Sequence, residues 1–455
     1  MRFCFDEPEM PVDIETLLAS IPDSPAGRQM RWYLEVLHSG GEAIRAADHD
    51  RYAPKLAQRM PRAASDEDAR RSIRGWAERL GEIAQVTIIS ASEFEVEASI
   101  TAAKDRKWRI KMAVETEPPY RIMRQQIDRA LPPNVAVRKA VASDAAALAE
   151  IERRCRIVMG GKSMYFDRGA DYFASSRLME EATVGIAFVD GKPAAASCGA
   201  LHRLRVGGSL KTLVTVTHLR VLPEHQRMGL WGAVNRAFDH YFDDVDGSRA
   251  YISVENAGMQ HGFTNTPNKW SKPIFRIQLA TAQLAGPMAG REATPDDAHT
   301  VANIMNRCHE REEQYLPYTE GSFAARVTRS PRDYSWSDVR MTDRAVVGVW
   351  PAGESLKVVR ESDGIRSESR PAIAADYGFV DGGESDLEAL LRGWCAWANH
   401  RGLDTLSIFS SDGSPGHALM TSLASAVEPF FVWTPGIEEP AGASERGIYV
   451  DPIYF

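Results

Sequence analysis

The chain has 455 residues and a formal net charge of −8, with 44% hydrophobic and 25% charged residues. This composition excludes disordered, collagen-like and disulfide-scaffold proteins, and the length exceeds the ~250 to 300 residues of a single core, so we expect two or three domains. The five cysteines lie far apart without CxxC spacing, and no stretch of ~18 apolar residues occurs. We therefore expect a cytoplasmic protein, neither secreted nor membrane-spanning, with no structural metal.

Two breaks rich in Pro and Gly divide the chain into three predicted domains. The letters LPPN at residues 131–134 end a domain over residues 1–134, and GPMAG at residues 286–290 separates residues 135–288 from residues 289–455. Lys and Arg minus Asp and Glu give net charges of −2, +5 and −11 for the three domains. Only the middle domain is positive, which suits an anionic cofactor, although a solvated basic face would give the same count.

The first domain reads as helices followed by an antiparallel sheet, which predicts a small α+β fold. Periodicity predicts helices over residues 28–37, 42–60 and 67–80 and strands over residues 86–90, 93–102, 107–114 and 120–127. In layout this domain resembles the NTF2-like and cystatin-like helper domains. It contains no catalytic constellation, so we expect a packing or dimerising role, and its exposed sheet favours a homodimer.

The second and third domains open on the same fourteen-residue pattern at an offset of 153 residues. The letters read RKAVASDAAALAEI at residues 138–151 and REATPDDAHTVANI at residues 291–304. Each copy reads as a short strand, a Ser/Asp cap and an apolar-periodic helix. The repeat predicts a duplicated domain.

The most informative segment, residues 213–239, reads as a strand, a loop and a helix. The strand of alternating β-branched residues ends at Val221, Pro223 prevents its continuation, and Gly229 opens the helix. Such a junction gathers backbone N–H groups at the positive end of a helix dipole, and glycine lets a pyrophosphate approach the backbone. Neither GxxxxGK[ST] nor GxGxxG is present, so kinase and dehydrogenase functions lose their main support.

The spacing of this segment resembles motif A of the GNAT acyltransferase superfamily, (Q/R)-x-x-G-x-(G/A), after a strand that ends in Val-x-Pro-Glu. The letters here are VLPE at residues 221–224 and QRMGLW at residues 226–231, so that Trp231 replaces a small residue. The form Pro-x-His-x-x-x-Gly-Leu is also similar to acetyltransferases of the enhanced-intracellular-survival type, which contain tandem GNAT domains. The implied fold is α/β and α+β: two GNAT-like mixed α/β domains, the second degenerate, after a small α+β domain.

The third domain lacks the motif. After a strand predicted over residues 374–380 it carries DGGESD at residues 381–386, whose three carboxylates would repel a pyrophosphate. We expect this copy to have lost the cofactor, and to complete the fold and form a wall of the acceptor pocket.

The resemblance implies acetyl-CoA as cosubstrate and no metal. It implies that the backbone after the strand receives the thioester carbonyl and the pantetheine arm, that the motif cradles the pyrophosphate, and that an asparagine bonds the arm. The implied cofactor-binding residues are Leu219, Arg220, Val221, Gln226, Arg227, Met228, Gly229, Leu230, Trp231 and Asn256. Asn256 could equally cap the next helix.

Three residues are candidates for the general base. His218 is one, because the reference pKa of histidine is near neutrality. Strand alternation places it on one face with Val214 and Val216, where a structural histidine is equally compatible. Glu255 ends the next predicted strand, where a solvated carboxylate is also ordinary. The enhanced-intracellular-survival resemblance adds the terminal carboxylate of Phe455, whose segment otherwise reads as a final sheet strand.

The general acid is less well defined. Many GNAT enzymes place a tyrosine on the helix after the fifth strand, but residues 256–275 contain none. Tyr251 would have to reach the sulfur from elsewhere, or water supplies the proton.

We therefore predict a GNAT N-acetyltransferase (EC 2.3.1.-) that transfers acetyl from acetyl-CoA to a primary amine of a small molecule. The alternative is an acyl-CoA-binding sensor or scaffold without catalysis, marked by Trp231 and the missing tyrosine. The acidic total and the lack of a basic, aromatic-interleaved patch exclude a nucleic-acid partner, and no membrane partner is expected.

Overall fold

The computed structural model describes residues 13–57, 65–102, 106–159, 162–169, 171–242, 245–256, 259, 269–362 and 365–454. Contacts divide the chain into two compact units, Met1–Pro133 and Asn134–Phe455. Within the described ranges, no helix combines the length and the hydropathy needed to span a bilayer.

The first unit is an α+β arrangement. Its helices are α1 (Ile14–Leu18), α2 (Pro25–His38), α3 (Pro54–Ala57) and α4 (Asp66–Leu80), and its strands are β1 (Ile83–Ala91), β2 (Glu95–Ala102), β3 (Arg106–Val114) and β4 (Ile122–Arg129). The strands pair antiparallel in the order β1-β2-β3-β4. Helix α2 begins where the Ser24 hydroxyl accepts a hydrogen bond from the Gly27 N–H, and it buries Met30 and Leu34 in the core.

One helix predicted in this unit is wrong. Instead of a continuous helix over residues 42–60, the structure has a 3-10 turn at Ala46–Arg51 and the single turn α3. Pro54 explains the interruption, because proline lacks the backbone N–H that a helix interior needs, whereas it fits the first turn of a helix.

The second unit contains the remaining elements. Its helices are α5 (Ala145–Arg154), α6 (Ala174–Leu178), α7 (Leu230–Asn235), α8 (Thr281–Leu284), α9 (Ala298–His309), α10 (Glu320–Thr328), α11 (Glu384–His400) and α12 (His417–Ser422). Its strands are β5 (Val135–Lys139), β6 (Ile157–Met159), β7 (Lys162–Asp167), β8 (Glu181–Val189), β9 (Lys192–Val206), β10 (Ser209–Val221), β11 (Gly247–Ser253), β12 (Lys269–Ala280), β13 (Arg291–Glu292), β14 (Val339–Met341), β15 (Ala345–Trp350), β16 (Lys357–Ser362), β17 (Ile365–Ser369), β18 (Pro371–Phe379), β19 (Thr405–Ser410) and β20 (Ala426–Pro435).

Twelve of these strands form one mixed sheet in the order β13-β14-β15-β18-β19-β12-β20-β11-β10-β9-β8-β5. Read inward from its two edges, the sheet shows the same succession twice: β5, β8, β9, β10, β11 from one edge and β13, β14, β15, β18, β19 from the other. At the centre, β20 pairs with β11 and β12 pairs with β19. The first half of the unit thus supplies β12 as a neighbour of β19, and the second half supplies β20 as a neighbour of β11. The mixed α/β sheet with helices packed on it confirms the predicted fold class.

The fourteen-residue repeat folds the same way twice. Arg138 donates to the Asp144 carboxylate at 2.7 Å, and Arg291 donates to the Asp297 carboxylate at 2.7 Å. Each aspartate also accepts the backbone N–H three residues before it, which closes a 3-10 turn ahead of α5 or α9. The matching letters therefore encode the same start of a helix.

A second, four-stranded sheet has the order β17-β16-β7-β6. Strand β7 belongs to the first half of the unit in sequence and β16 to the second half, and these two strands pair antiparallel. This small sheet is built from both halves of the unit.

Candidate active site

A wedge opens where two parallel strands of the large sheet separate. Strands β10 and β11 pair only at Leu213–Gly247, Val214–Ser248 and Thr215–Arg249. From Ala250 onward, β11 pairs instead with β20. The C-terminal parts of β10 and β11 therefore diverge, and the space between them leads into a cavity of about 760 Å³.

The cavity extends from the wedge along the face of the central sheet. The small sheet closes it from the opposite side, with Phe166 of β7 and Val358 of β16 among the lining residues. Aromatic and aliphatic side chains provide much of the wall. Its charged lining residues, among those the structure describes, are Arg156, Arg168, Arg220, Arg276, Arg360 and Glu255. Five guanidinium groups and one carboxylate line the cavity, but four of the five arginines pair with carboxylates outside the lining, so the net positive charge is small.

Strand β10 carries a bulge at the wedge. Thr217 pairs with Cys198 and Arg220 pairs with Ala196, so that His218 and Leu219 together oppose one residue of β9. His218 has a φ of 53°, in the left-handed region. The extra residue breaks strict alternation, and all residues from Val216 to Arg220 line the cavity.

The bulge begins at His218 itself. Alternation placed His218 on one face with Val214 and Val216. Val214 is fully buried in the core, whereas Val216 and His218 both line the cavity. The regular ladder with β9 continues to Thr217, so the bulge shifts the side-chain register only from His218 onward.

The loop after β10 carries two further left-handed residues. A 3-10 turn at Pro223–His225 follows the strand, Arg227 has a φ of 68°, and Gly229, with a φ of 80°, is the N-cap of α7. Left-handed conformations are unfavourable for residues with a Cβ and concentrate at functional loops. Within the described part of the chain, this short segment and the bulge thus hold two of the non-glycine residues with positive φ, His218 and Arg227.

The helix of this motif is shorter than predicted. Helix α7 ends at Asn235, and the residues that follow, Arg236–Phe242, form 3-10 turns with a non-helical φ of −133° at Phe238. Phe238 is fully buried, so tertiary packing of its ring accompanies the break.

The structure places the predicted cofactor residues in two groups. Leu219, Arg220, Trp231 and Asn256 line the cavity. The second group lies outside the lining and consists of Val221 and the loop residues Gln226 to Leu230. In sequence this group lies between two residues that line the cavity, Arg220 and Trp231. Leu230 is buried and anchors α7, whereas Gln226, Arg227 and Trp231 are exposed. Their roles toward a cofactor stay predictions.

The predicted bases are partly brought together. His218 on β10 and Glu255 after β11 both line the cavity, on the two sides of the wedge. Phe455 lies outside the described residues. The Asn256 side chain lines the cavity and its Oδ1 accepts a hydrogen bond from the Met259 N–H at 3.1 Å, so that it also has the geometry of a cap.

Tyr251 of β11 also lines the cavity. Burial raises the pKa of its phenol to about 12, so the hydroxyl keeps its proton at neutral pH. The guanidinium carbon of Arg249, in the last register pair of the wedge, lies 5.1 Å from the Tyr251 ring centroid. Arg249 is itself held by the Thr215 hydroxyl at 3.1 Å.

Sequence reasoning missed the partner of the Arg220 side chain. Arg220 donates to the carboxylate of Glu152 on α5, a fully buried residue. Burial by itself would lower the pKa of Arg220, but the charge and the hydrogen bond of Glu152, together with Tyr172 and Cys155, outweigh it and the pKa is raised. A charged residue on the apolar face of α5, next to Leu148 and Ile151, was the signal that could have revealed this pair.

A second wedge exists in the other half, and protein fills it. Strands β18 and β19 pair only from Pro371–Thr405 to Ile373–Ser407 and then diverge. The His309 ring contacts the Tyr377 carbonyl at 2.6 Å, and the ring of Tyr449 lies 4.8 Å from that of His309. The C-terminal segment thus packs into the place that corresponds to the open wedge.

The C-terminal segment, residues 447–454, is not the sheet strand that its apolar pattern predicted. It forms one isolated bridge, Glu313 to Ile448, and a 3-10 turn at Pro452–Tyr454. Arg326 fixes the segment by donating to Asp451 at 2.8 and 3.0 Å. The segment then reaches the first wedge, where Pro452 and Ile453 line the cavity.

Metal ligation has no evident place in the described part of the chain. None of its His, Cys, Asp and Glu side chains form a group of three or more that could hold an ion.

The comparisons with known proteins identify the fold. No protein-family model and no curated protein matches the chain. Among solved structures, Saccharomyces cerevisiae N-myristoyltransferase with bound myristoyl-CoA and inhibitors is 11% identical over 72% of this chain and 84% of that chain, with a TM-score of 0.51. The same enzyme with bound myristoyl-CoA is 10% identical over 72% and 82%, with a TM-score of 0.50.

A GCN5-related N-acetyltransferase from Kribbella flavida is 14% identical over 66% of this chain and 71% of that chain, but its TM-score of 0.35 carries no weight. At these identities the likeness shows the fold alone. The chain shares the fold of the N-myristoyltransferases, in agreement with the N-acyltransferase fold that the GNAT resemblance implied.

Proposed function

We propose that the chain is an acyl-CoA-dependent N-acyltransferase whose cosubstrate binds in the wedge between β10 and β11. The observation that carries the proposal is the bulged strand β10, which ends in a left-handed glycine turn and opens onto an arginine-lined cavity of about 760 Å³. The shared fold supports it, since the solved N-myristoyltransferases hold myristoyl-CoA.

The residues present fit a CoA thioester. Gly229 has a left-handed φ, which is unfavourable for a residue with a Cβ. The absence of a side chain also leaves the backbone of the turn accessible to a phosphate. The first N–H groups of α7 lack partners inside the helix and can donate to phosphate oxygens. The bulge at His218 and Leu219 takes backbone groups out of the ladder with β9, beside the cavity. When bound, acyl-CoA would supply an activated acyl group for transfer to an amine.

The side chains at the wedge suit the two proton transfers of amide formation. As the C–N bond forms and the C–S bond breaks, the amine nitrogen loses a proton and the thiolate gains one. His218 Nε2 or Nδ1 and the Glu255 carboxylate are the candidates to accept the first proton. The Tyr251 hydroxyl is the candidate donor of the second, because the side chain lines the cavity and the phenol is protonated at neutral pH.

We further infer that the acyl group is acetyl and that the acceptor is a small-molecule primary amine, as the GNAT motif implies. The repeated helix start and the repeated strand succession support a tandem pair of GNAT-like domains. The filled wedge between β18 and β19 supports a second copy that does not bind a cofactor.

A non-catalytic acyl-CoA sensor is the second candidate. Trp231 stands where the motif has a small residue, is 43% exposed and lines the cavity. Binding without turnover would be the property of such a protein.

Calorimetric titration tests the proposal. Acetyl-CoA, myristoyl-CoA and CoA are titrated into wild type, into Gly229→Glu and into the matched control Gly191→Glu, which adds the same charge at an exposed left-handed glycine in the turn between β8 and β9. We expect binding to wild type and the control, with a loss of at least tenfold in Gly229→Glu. No binding to folded wild type would refute the proposal.

Release of free CoA thiol with a panel of amines then separates the two candidates. Turnover supports the transferase, and tight binding without turnover with any amine supports the sensor. The thioester that binds and reacts best identifies the acyl length.

A further inference from the structure

We infer that the acceptor amine also carries a carboxylate, which binds between Arg360 and Arg276 in the part of the cavity away from the wedge. This inference rests on the proposed transferase function and adds the chemical class of its acceptor.

The two arginines lie on the far side of the cavity from β10. Arg276 is on β12, which is separated from β11 by β20, so the two strands are ~10 Å apart at the usual spacing. Arg360 is on β16 of the small sheet, which faces the central sheet across the cavity. A ligand whose reacting group is at the wedge therefore reaches the arginines with its other end.

Arg360 stands out among the cavity arginines by its lack of an acidic partner. Arg220 and Arg168 share Glu152, Arg156 pairs with Glu361, and Arg276 pairs with Glu428. In the described part of the chain the Arg360 side chain forms no ion pair or hydrogen bond, although the residue is half-buried and lines the cavity. A half-buried guanidinium without a counter-charge is costly unless a ligand supplies one.

The two guanidinium groups influence each other. Burial lowers the pKa of Arg276, Glu428 raises it, and the charge of Arg360 lowers it again. Glu428 carries one negative charge beside the two positive guanidinium groups. A ligand carboxylate that binds Arg360 can accept hydrogen bonds from both planar groups.

Neutral polar groups complete this compartment. Gln278 neighbours Arg276 on the same face of β12, and Thr405 and Ser407 of β19 line the cavity beside it. These side chains can donate hydrogen bonds to a carboxylate without adding charge. Phe409 and Phe430 also lie beside Arg276, so the compartment combines aromatic faces with guanidinium and neutral polar groups.

The test compares matched acceptors on the full chain. A series of ω-amino carboxylates from glycine to 6-aminohexanoate is assayed with acetyl-CoA beside the n-alkylamines of the same length. In wild type we expect the best amino carboxylate to have a kcat/KM at least tenfold above its alkylamine. In Arg360→Gln we expect this ratio to fall to about twofold or less, and in Arg360→Lys to recover in part. Arg366→Gln, which removes an exposed charge from the neighbouring strand β17, is the matched control and should keep the wild-type ratio.

Binding measurements distinguish this inference from the proposed function. Arg360→Gln should bind acetyl-CoA as wild type does. If it binds acetyl-CoA at least tenfold more weakly, the guanidinium serves the phosphates of CoA and the inference is wrong. Calorimetry with the amino carboxylates alone covers the case in which the chain has no turnover. Weaker binding to Arg360→Gln than to Arg366→Gln supports the site. Equal affinity of the two variants, or no binding to wild type, overturns it. Failure of acetyl-CoA to bind wild type would refute the transferase proposal instead.

Discussion

Arg220 donates two hydrogen bonds, of 2.9 and 2.7 Å, to one carboxylate oxygen of Glu152, whose side chain is inaccessible to solvent. The pair joins helix α5 to the bulged end of β10. Arg168 lies on the other side of the same carboxylate, at 3.9 Å. The shape of the wedge therefore depends on a buried charge cluster directly beneath it.

Replacement of Glu152 by Gln should be strongly destabilising. It leaves two buried guanidinium groups without a counter-charge, and loss of one partner from a buried pair costs ~3 to 5 kcal/mol. Urea denaturation followed by tryptophan fluorescence measures the change. Glu150→Gln on the same helix removes a carboxylate from an exposed pair with Arg153 and should cost at most ~1 kcal/mol. Equal effects of the two variants would contradict this account of the cluster.

Gly229→Ala should reduce stability because the φ of 80° at this position is unfavourable for a residue with a Cβ. The expected cost is ~1 to 2 kcal/mol. Gly232→Ala, three residues later inside α7, should instead be neutral or stabilise by up to ~1 kcal/mol, since alanine is the better helix former. Thermal unfolding of both variants checks the opposite signs. A stabilised Gly229→Ala would show that the turn is not left-handed in solution.

Tyr251→Phe should lower kcat by ~100-fold or more while the KM for acyl-CoA stays near the wild-type value, if the phenol is the proton donor. Steady-state kinetics with the best amine measures both constants. Tyr241→Phe is the control: that phenol bonds Thr183 at 3.0 Å and is not in the cavity lining, so its loss should reduce stability by ~1 kcal/mol and leave kcat unchanged. A fully active Tyr251→Phe would favour water as the donor.

Acid should weaken the two repeated helix starts. Hydrogen bonds from Arg138 and Arg291 lower the pKa values of Asp144 and Asp297. A carboxyl group whose pKa is lower in the folded state contributes stability above its unfolded pKa, near ~4, and the contribution is lost as the pH falls below that value. Asp297→Asn should therefore lower the thermal midpoint more at pH 7 than at pH 3. Asp296→Asn, at a position without an ion pair to any described residue, should shift the midpoint by similar amounts at both pH values.

Local chemistry in the sequence was sufficient for many elements. The alternation in β10, its stop at Pro223 and the glycine turn at Gly229 are short-range properties, and the structure has each of them. The repeat was also visible, because Arg138 and Asp144 interact at a separation of only six residues, and both copies keep this spacing. The helix predicted over residues 42–60 failed for an equally local reason, the proline at position 54.

The remaining features depend on residues that are distant in sequence. The bulge at His218 is defined by its register against β9, and no pattern within β10 reveals it. The cavity gathers Arg276 and Arg360 from strands of different sheets, so neither is recognisable as part of a site beforehand. The C-terminal segment has a strand-like pattern because it is buried, yet it fills a gap between strands and does not join a sheet.

The central pairing of β20 between β11 and β12 has a consequence for how the protein is made. Strand β11 finds its neighbour about 180 residues later in the chain, within Ala426–Pro435. Until those residues have left the ribosome, β11 and β12 expose open edges, and such long-range pairing forms slowly. The half that contains the wedge cannot reach its final form during synthesis, so a chain truncated before residue 426 should accumulate as a substrate for chaperones and proteases.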